Sequence, residues 1–572
     1  MRAGYMWTGL LAVVLVPALA WADQAVDKEM QSDVVLRALV SELERNQAGL
    51  KLEDLERPYF IEYALSDATR VYVTAELGSV TGKNVNRFRS LQPEVRVGSY
   101  ELDNTNFGSG YGRYYGGSGP SAMPIEDDYN AIRQAIWWAT DRGYKDAVET
   151  LAQKKAFMES KLIKDKPEDF AQQPPAVYLE PRGDIKLTVE PLEKLAVPLS
   201  AVFRQYPQVQ QSGVTTEGGS GNKYLVNSEG TRIRIASTSF SISVTATVQA
   251  DDGMKMSDSF TVYARKLEDL PALPELTKRC TQMVERLLAA REAPLLDSYT
   301  GPVLFEAEPA TELFAGQFAQ RFAGGQRPVG SSSNPDDFEN KLGKRILPGF
   351  LNVVDNPAQE TINGQLVMGN YAYDDEGVKA QAVSLVKGGT LEALLMSRNP
   401  SKQFKQSNGH GRGSYGSQAG VGCLLVTSDE GADGAALRQR LLEAAAEESL
   451  DFGLRVVALG NVGDGGGYGG YYGRARFGGP RGGGTAPLAM YKVYPDGREE
   501  MVRGAEIARV ELKAFKNILA AGDTPYVRNS GSGTQGRTVA VPALLFEELD
   551  LAKMDRDFDK PPLLPAPLAR GK

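Results

Sequence analysis

Residues 224–248 read YLVNSEGTRIRIASTSFSISVTATV. Their apolar positions alternate, Ile233 with Ile235 and then Ile242 with Val244. Successive side chains of a strand point to opposite faces, so this alternation predicts half-buried sheet. On the amino side, Tyr59–Leu65 (YFIEYAL), Arg70–Leu77 (RVYVTAEL) and Glu94–Leu102 (EVRVGSYEL) read as further strands. Helices are expected at 27–48, where Val35, Leu36, Leu39, Val40 and Leu43 recur at helical spacing, at 126–162, which carries Trp137 and Trp138, and around 275–291.

On the carboxyl side, Tyr299–Glu306 (YTGPVLFE) reads as a strand and 310–323 as a helix, with Phe314, Phe318 and Phe322 at four-residue spacing. Strands are expected at 350–355, 365–373, 380–386, 487–494 and 498–511. The fold class is therefore α+β, an α/β amino-terminal part followed by a β-rich carboxyl-terminal part.

Residues 1–22 have the form of an export signal. Arg2 precedes an apolar run, GLLAVVLVPALA, and Ala20-Trp21-Ala22 offers an A-x-A cleavage site before Asp23. The run is short for a membrane span, so no stable membrane anchor is expected. The mature protein is expected to be exported and, in a Gram-negative source, periplasmic. The organisation expected is signal peptide 1–22, an amino-terminal region 23–293 with a boundary inside it at the proline-rich 166–181, a carboxyl-terminal domain 294–550, and a proline-rich, disordered tail within 551–572.

The formal net charge is −8, and loss of Arg2 makes it more negative. That balance argues against a general nucleic-acid binder. Two glycine/tyrosine-rich inserts, 108–120 and 462–485, read as surface loops and contain no GxxxxGK[ST] phosphate loop. Cys280 and Cys423 fit either one disulfide or two buried thiols.

The chain has a single histidine, His410. Zinc hydrolases hold their metal with two or three imidazoles, and serine hydrolases need one as base. His410 sits between glycines in a polar loop, where an exposed, incidental side chain is the expectation. A Ser-His-Asp set through it has no GxSxG elbow to go with it. Asp374, Asp375 and Glu376 are the best carboxylate cluster. Three adjacent acids before Gly377 read as a solvated hairpin turn, with a hard-cation or acid/base site as the alternative.

Several blocks together resemble the TldD/TldE (PmbA) family of zinc metallopeptidases. They are Val95–Tyr100 with Asp103–Thr105, Asn227–Thr231, Gly301–Phe305 leading into the 310–323 helix, Val354–Pro357, Tyr373–Val378, Leu394–Arg398 and Ser407–Arg412. In catalytic members the resemblance implies an HExxxH helix: two histidines bind zinc, the glutamate activates water, and a cysteine near the carboxyl end adds a ligand. Here the matching positions hold Ala315, Gly316 and Gln320, and Asn529–Gly536 has no cysteine. Cys423 follows SNGHGR too closely to be that ligand. Alanine and glycine offer a metal no side-chain donor, and glutamine is a poor zinc ligand. Gly316 costs about 1 kcal/mol against alanine inside a helix, which suggests a close backbone approach there.

The resemblance therefore implies no catalytic residues and no cofactor; zinc belongs to the catalytic relatives. It implies a non-catalytic, TldE-like partner or peptide-binding subunit of a proteolytic assembly, in a homo- or hetero-dimer with a family relative, binding a peptide or unfolded segment. The residues assigned to the substrate cleft are Asp374, Asp375, Arg398, Asn408, His410 and Arg412. Two alternatives are an active metallopeptidase or other hydrolase with unrecognised ligands, and a structural envelope-binding protein.

Overall fold

The structure is a computed structural model and describes residues 28–29, 31–52, 55–108, 120–331, 338–412, 418–462, 486–507, 510–531, 533–554, 558–562 and 564–569. The export signal and most of both glycine-rich inserts lie outside these residues. In the amino half the elements are α1 (Val34–Gly49), β1 (Pro58–Glu76), β2 (Ser79–Val97), β3 (Ser121–Ala122), α2 (Tyr129–Ser160), β4 (Val177–Leu179), α3 (Glu190–Ser200), β5 (Gln211–Asn227), β6 (Arg232–Gln249), β7 (Lys255–Ala264) and α4 (Leu273–Glu292). The carboxyl half continues with β8 (Tyr299–Phe305), α5 (Ala307–Gln317), β9 (Leu351–Asp355), β10 (Thr361–Ile362), β11 (Gln365–Leu366), β12 (Val383–Lys387), β13 (Thr390–Leu391), β14 (Cys423–Ser428) and α6 (Gly434–Glu447). It ends with β15 (Gly453–Val462), β16 (Ala486–Val493), β17 (Glu499–Val502), β18 (Ala505–Ile507), α7 (Leu512–Lys516), β19 (Ile518–Ala521), β20 (Tyr526–Ser530), β21 (Arg537–Val541) and β22 (Leu544–Lys553). The chain is α+β.

A fourteen-stranded sheet runs through both halves in the order β18-β22-β8-β15-β7-β6-β5-β1-β2-β3, with β16, β17, β19 and β4 attached beside it. It crosses from one half to the other where Asn461 and Val462 pair with Ser257 and Met256. A second sheet of six strands, β13-β12-β9-β14-β21-β20, belongs to the carboxyl half. Helices α1 and α2 cover one end of the amino-half sheet through Leu36, Leu39, Ile132 and Ile136. Helices α3 and α4 cover the rest through Leu192, Leu199, Met283 and Leu287.

The two strands expected at 59–65 and 70–77 are one continuous strand, β1. Between them lies the polar Asp67. The fold buries Asp67 and gives it Arg87, Arg89 and Arg182 as partners, so the strand passes through. β2 starts well before Glu94 and stops at Gly98, whose φ of +104° turns the chain. β5 starts at Gln211 and passes through Gly218–Gly221, which periodicity alone does not call strand. A Cβ on Gly221 would lie 2.5 Å from the Ala68 Cβ on β1, so the close strand approach requires glycine there.

The strand expected at 365–373 is reduced to Gln365–Leu366. Beyond it, side chains replace a ladder: the Met368 amide donates to Asn529 and Thr538, and the Gly369 amide donates to Thr538. Of the strand expected at 498–511, the described residues form two short strands, Glu499–Val502 and Ala505–Ile507, parted by Gly504 at φ +77°. The proline-rich 166–181 is packed inside: Phe170 and Ala171 are buried, and Ala171 exchanges hydrogen bonds with Arg398. The tail is tied down at its start, because β22 runs to Lys553 and the Asp559 carbonyl accepts from Gln249. Cys280 and Cys423 are free, buried thiols.

Candidate functional site

Helix α5 carries the positions of the resemblance. From α5 into the turn after it the inner side is aromatic: Phe314, Phe318 and Phe322 are fully buried, and the Phe318 ring lies 4.7 Å from Phe314, 4.5 Å from Phe515 and 5.4 Å from Phe338. The helix packs on β20 and β21, where Thr311 Oγ1 bonds the carbonyls of Tyr526 and Val541. Its outer face holds the degenerate motif. Gly316 and Gln320 are exposed and Ala315 is half-buried.

The α-helix does not extend to 323 as expected. It ends at Gln317, and Ala319–Phe322 forms a separate 3-10 turn after Phe318 at φ −117°. Ala315 and Gln320 thus sit on different helical segments. The close backbone approach expected at Gly316 is absent, since a Cβ there meets nothing within 4 Å. These residues do not fit a zinc ion: two carry no donor atom, and the third lies beyond the end of the helix. Among the described residues no three His, Cys, Asp or Glu side chains converge as a metal site.

A feature that the sequence reading missed lies one turn earlier on α5. Glu308 accepts from the Tyr526 hydroxyl at 2.9 Å, and Glu312 lies 3.6 Å from the Arg528 guanidinium, both partners on β20. Burial pushes the Glu312 carboxyl up, to about 7, with Arg528 opposing and Glu308 and Asp258 adding to the rise. Spacing puts Glu308, Glu312 and Gly316 on one face. That signal was available in the sequence, but nothing in it marked Tyr526 and Arg528 as neighbours.

The six residues assigned to the cleft come together, but as a packed joint between the two halves. Asp374 is buried, and its carboxylate accepts backbone N–H bonds from Glu376, Val378 and Gly411. Burial and the adjacent Glu376 push it up, to about 8, against those three donors. The DDEG turn exists, with Gly377 at φ +78°, but it is not solvated as expected. It faces the amino-half sheet, where a Cβ on Gly377 would meet Thr231 and Leu225 at 3.0 and 3.1 Å. Asp375 pairs with Lys223 of β5.

Arg398 is buried; it bonds Glu229 at 2.7 Å and the Ala171 carbonyl at 2.8 Å. Asn408 ties its own loop to the LLMSR block by accepting from the Met396 amide and donating to the Leu394 carbonyl. Arg412 lies 4.4 Å over the Tyr371 ring and donates to the Gly536 carbonyl.

The exposed, incidental His410 of the sequence reading is corrected: its side chain is fully buried. Nδ1 faces two acceptors, the backbone and side-chain oxygens of Asn408 at 3.1 and 3.0 Å, so Nδ1 carries a proton. Nε2 lies 3.4 Å from Asp355 Oδ1, whose carboxylate also holds the Gly422 and Cys423 amides. The nearby Ser407 hydroxyl is buried and bonds the Met396 carbonyl and the Gly409 amide. This is the chemistry of a structural clasp.

The chain is metallopeptidase-like by its similarity to known proteins. Models of the PmbA/TldA metallopeptidase central and C-terminal domains match residues 186–290 and 298–440. A metalloprotease of Methanothermobacter thermautotrophicus is 29% identical over 205 residues, which are 34% of this chain and 40% of that relative. A metalloprotease PmbA homolog of Haemophilus influenzae is 23% identical over 377 residues, which are 65% of this chain and 76% of the relative.

Among solved structures, TldE from Thermococcus kodakarensis superposes with a TM-score of 0.56 at 14% identity, covering 86% of this chain and 97% of that one. A putative modulator of a DNA gyrase from Thermotoga maritima gives 0.57 at 14% identity, covering 86% and 96%. The chain belongs to the TldD/TldE (PmbA) family.

Proposed function

We propose that this chain is a non-catalytic, TldE-like partner or peptide-binding subunit in a proteolytic assembly. The observation that carries the reading is the contrast between the two sides of α5 and the 3-10 turn that follows it. The packed side keeps Phe314, Phe318 and Phe322, while the remaining positions offer half-buried Ala315 and exposed Gly316 and Gln320 where two imidazoles and a carboxylate are needed. Packing is retained where chemistry is missing. The partner is a family relative with an intact HExxxH, and the ligand is a peptide or unfolded segment.

Metal analysis of the dialysed protein tests the reading. It should show sub-stoichiometric zinc, and one tightly held zinc per chain overturns it. Co-purification from the native host should bring down a zinc-bearing relative; envelope components alone would favour a structural role. The export reading places the mature protein in the periplasm with Asp23 at its amino terminus. Amino-terminal sequencing checks that.

Glu312 gives the alternative, a hydrolase with its own acid/base group, a specific footing, because its carboxyl is poised near neutrality. Chelator-insensitive peptidase activity that disappears in Glu312→Gln would favour it.

A further inference from the structure

Helix α2 ends in a Schellman motif. The Ile163 amide donates to the Met158 carbonyl at 3.0 Å, and the Leu162 amide donates to the Glu159 carbonyl at 3.1 Å. The residue between the cap and Ile163 must be left-handed, a conformation that favours glycine because a Cβ crowds the following backbone. Here that residue is Leu162, at φ +53°. Its side chain is 80% exposed, more than any other large hydrophobic described. The chain therefore keeps a leucine in water at a position where glycine would relieve strain. Fold stability gives no reason for it.

The charge around Leu162 supplies one. Lys161 and Lys164 flank it, both exposed, and the 400–406 loop brings exposed Lys402 and Lys405 beside the same turn. Asp165 lies between them and pairs with Lys402 at 2.7 Å, so those two charges cancel and Lys161, Lys164 and Lys405 carry the excess. Glu159 and Glu168 are exposed on either side in sequence. The helix C-terminus accounts for lysine at 161 and 164, but not for the lysines that arrive from the 400–406 loop. A net-acidic chain has gathered lysines around one protruding apolar side chain.

We propose that the Lys161–Lys164 turn, with Lys402 and Lys405, is a reversible contact site for an anionic lipid surface. Leu162 enters the headgroup boundary and the lysine collar meets lipid phosphates. One leucine and a few lysines give peripheral, salt-sensitive attachment, far short of a membrane anchor.

The test uses the full mature protein and co-sedimentation with vesicles of equal parts phosphatidylglycerol and phosphatidylcholine, against vesicles of phosphatidylcholine alone. Binding is expected to the anionic vesicles and to weaken as salt is raised. Leu162→Gly should reduce it about tenfold. It should also melt no lower than the parent, because glycine suits the left-handed position. Reversing Lys161 and Lys164 to glutamate should cost at least about fivefold per residue. The proposal is overturned if the parent ignores anionic vesicles, binds both vesicle types equally, or binds unchanged as Leu162→Gly. A change in the sedimentation coefficient of Leu162→Gly in the absence of lipid would instead make the turn a contact between copies, and would overturn it too.

Discussion

The guanidinium of Arg398 lies 3.8 Å from the centroid of the Phe170 ring, and both side chains are buried. Arg96 lies 3.6 Å from the same centroid. One ring from the 166–181 segment thus meets an arginine from each half. Arg96 is held by Glu94 and Asp103, and Arg398 by Glu229. Phe170→Ala removes both cation–π contacts and leaves a cavity between two buried cations. It should destabilise the protein by about 3–5 kcal/mol, with Phe170→Leu costing less. Urea unfolding of both variants measures this, and a Phe170→Ala protein as stable as the parent would mean the segment is not docked there.

Gly316 faces open space inside a helix. Gly316→Ala should therefore stabilise the fold by about 0.5–1 kcal/mol, read as a raised urea midpoint. Ala315→His, Gly316→Glu and Gln320→His together should give measurable but weak zinc affinity by calorimetry. HExxxH spaces its histidines by roughly 140° around a helix turning about 100° per residue, and the break at Phe318 changes that angle. A cysteine at Ser530, on the strand that packs against α5, should raise the affinity. If this full set binds no metal in a folded protein, α5 is not the equivalent of the catalytic helix.

Burial together with Glu94 and Glu376 pushes the Glu62 carboxyl up, to about 8, with Arg398 and Asn227 opposing. Asp374 is pushed to about 8 in the same joint. A folded-state value above the unfolded one means that folding takes up protons. The stabilisation is complete below about pH 4 and is lost as pH rises through about 8. Thermal midpoints from pH 5 to pH 9 should therefore fall toward the alkaline end. Glu62→Gln, which fixes the neutral form, should flatten that fall. A midpoint that rises through the same window in the parent contradicts the assignment.

Burial pushes both thiols, Cys280 and Cys423, up to about 12. Neither should react with a thiol reagent in the native protein at neutral pH, and both should react fully in denaturant. Any labelling under native conditions should be no faster than global unfolding. Rapid labelling of either would show that its site opens locally.

The sequence determined the parts whose signal is local. Alternation placed the strands around Ile233 and Ile242, helical spacing placed α1, propensity placed the later part of α2, and the four-residue run of Phe314, Phe318 and Phe322 marked the buried side of α5 and of the turn after it. The lack of metal-donor atoms at Ala315 and Gly316 was equally legible, because a missing donor atom is a property of the residue itself.

Tertiary structure alone decided whatever depends on partners distant in the chain. Residues 66–69 fall outside the two expected strands, but Arg87, Arg89 and Arg182 surround Asp67 and the strand runs through. His410 reads as an exposed loop residue until Asp355 and Asn408 close over it. The proline-rich 166–181 reads as a linker until Phe170 slides between two arginines. Asp67 and the 166–181 segment are buried because their charges and hydrogen bonds are satisfied by residues distant in the chain, and His410 is closed in by its neighbour Asn408 and by Asp355 from β9. Local sequence carries no record of that satisfaction.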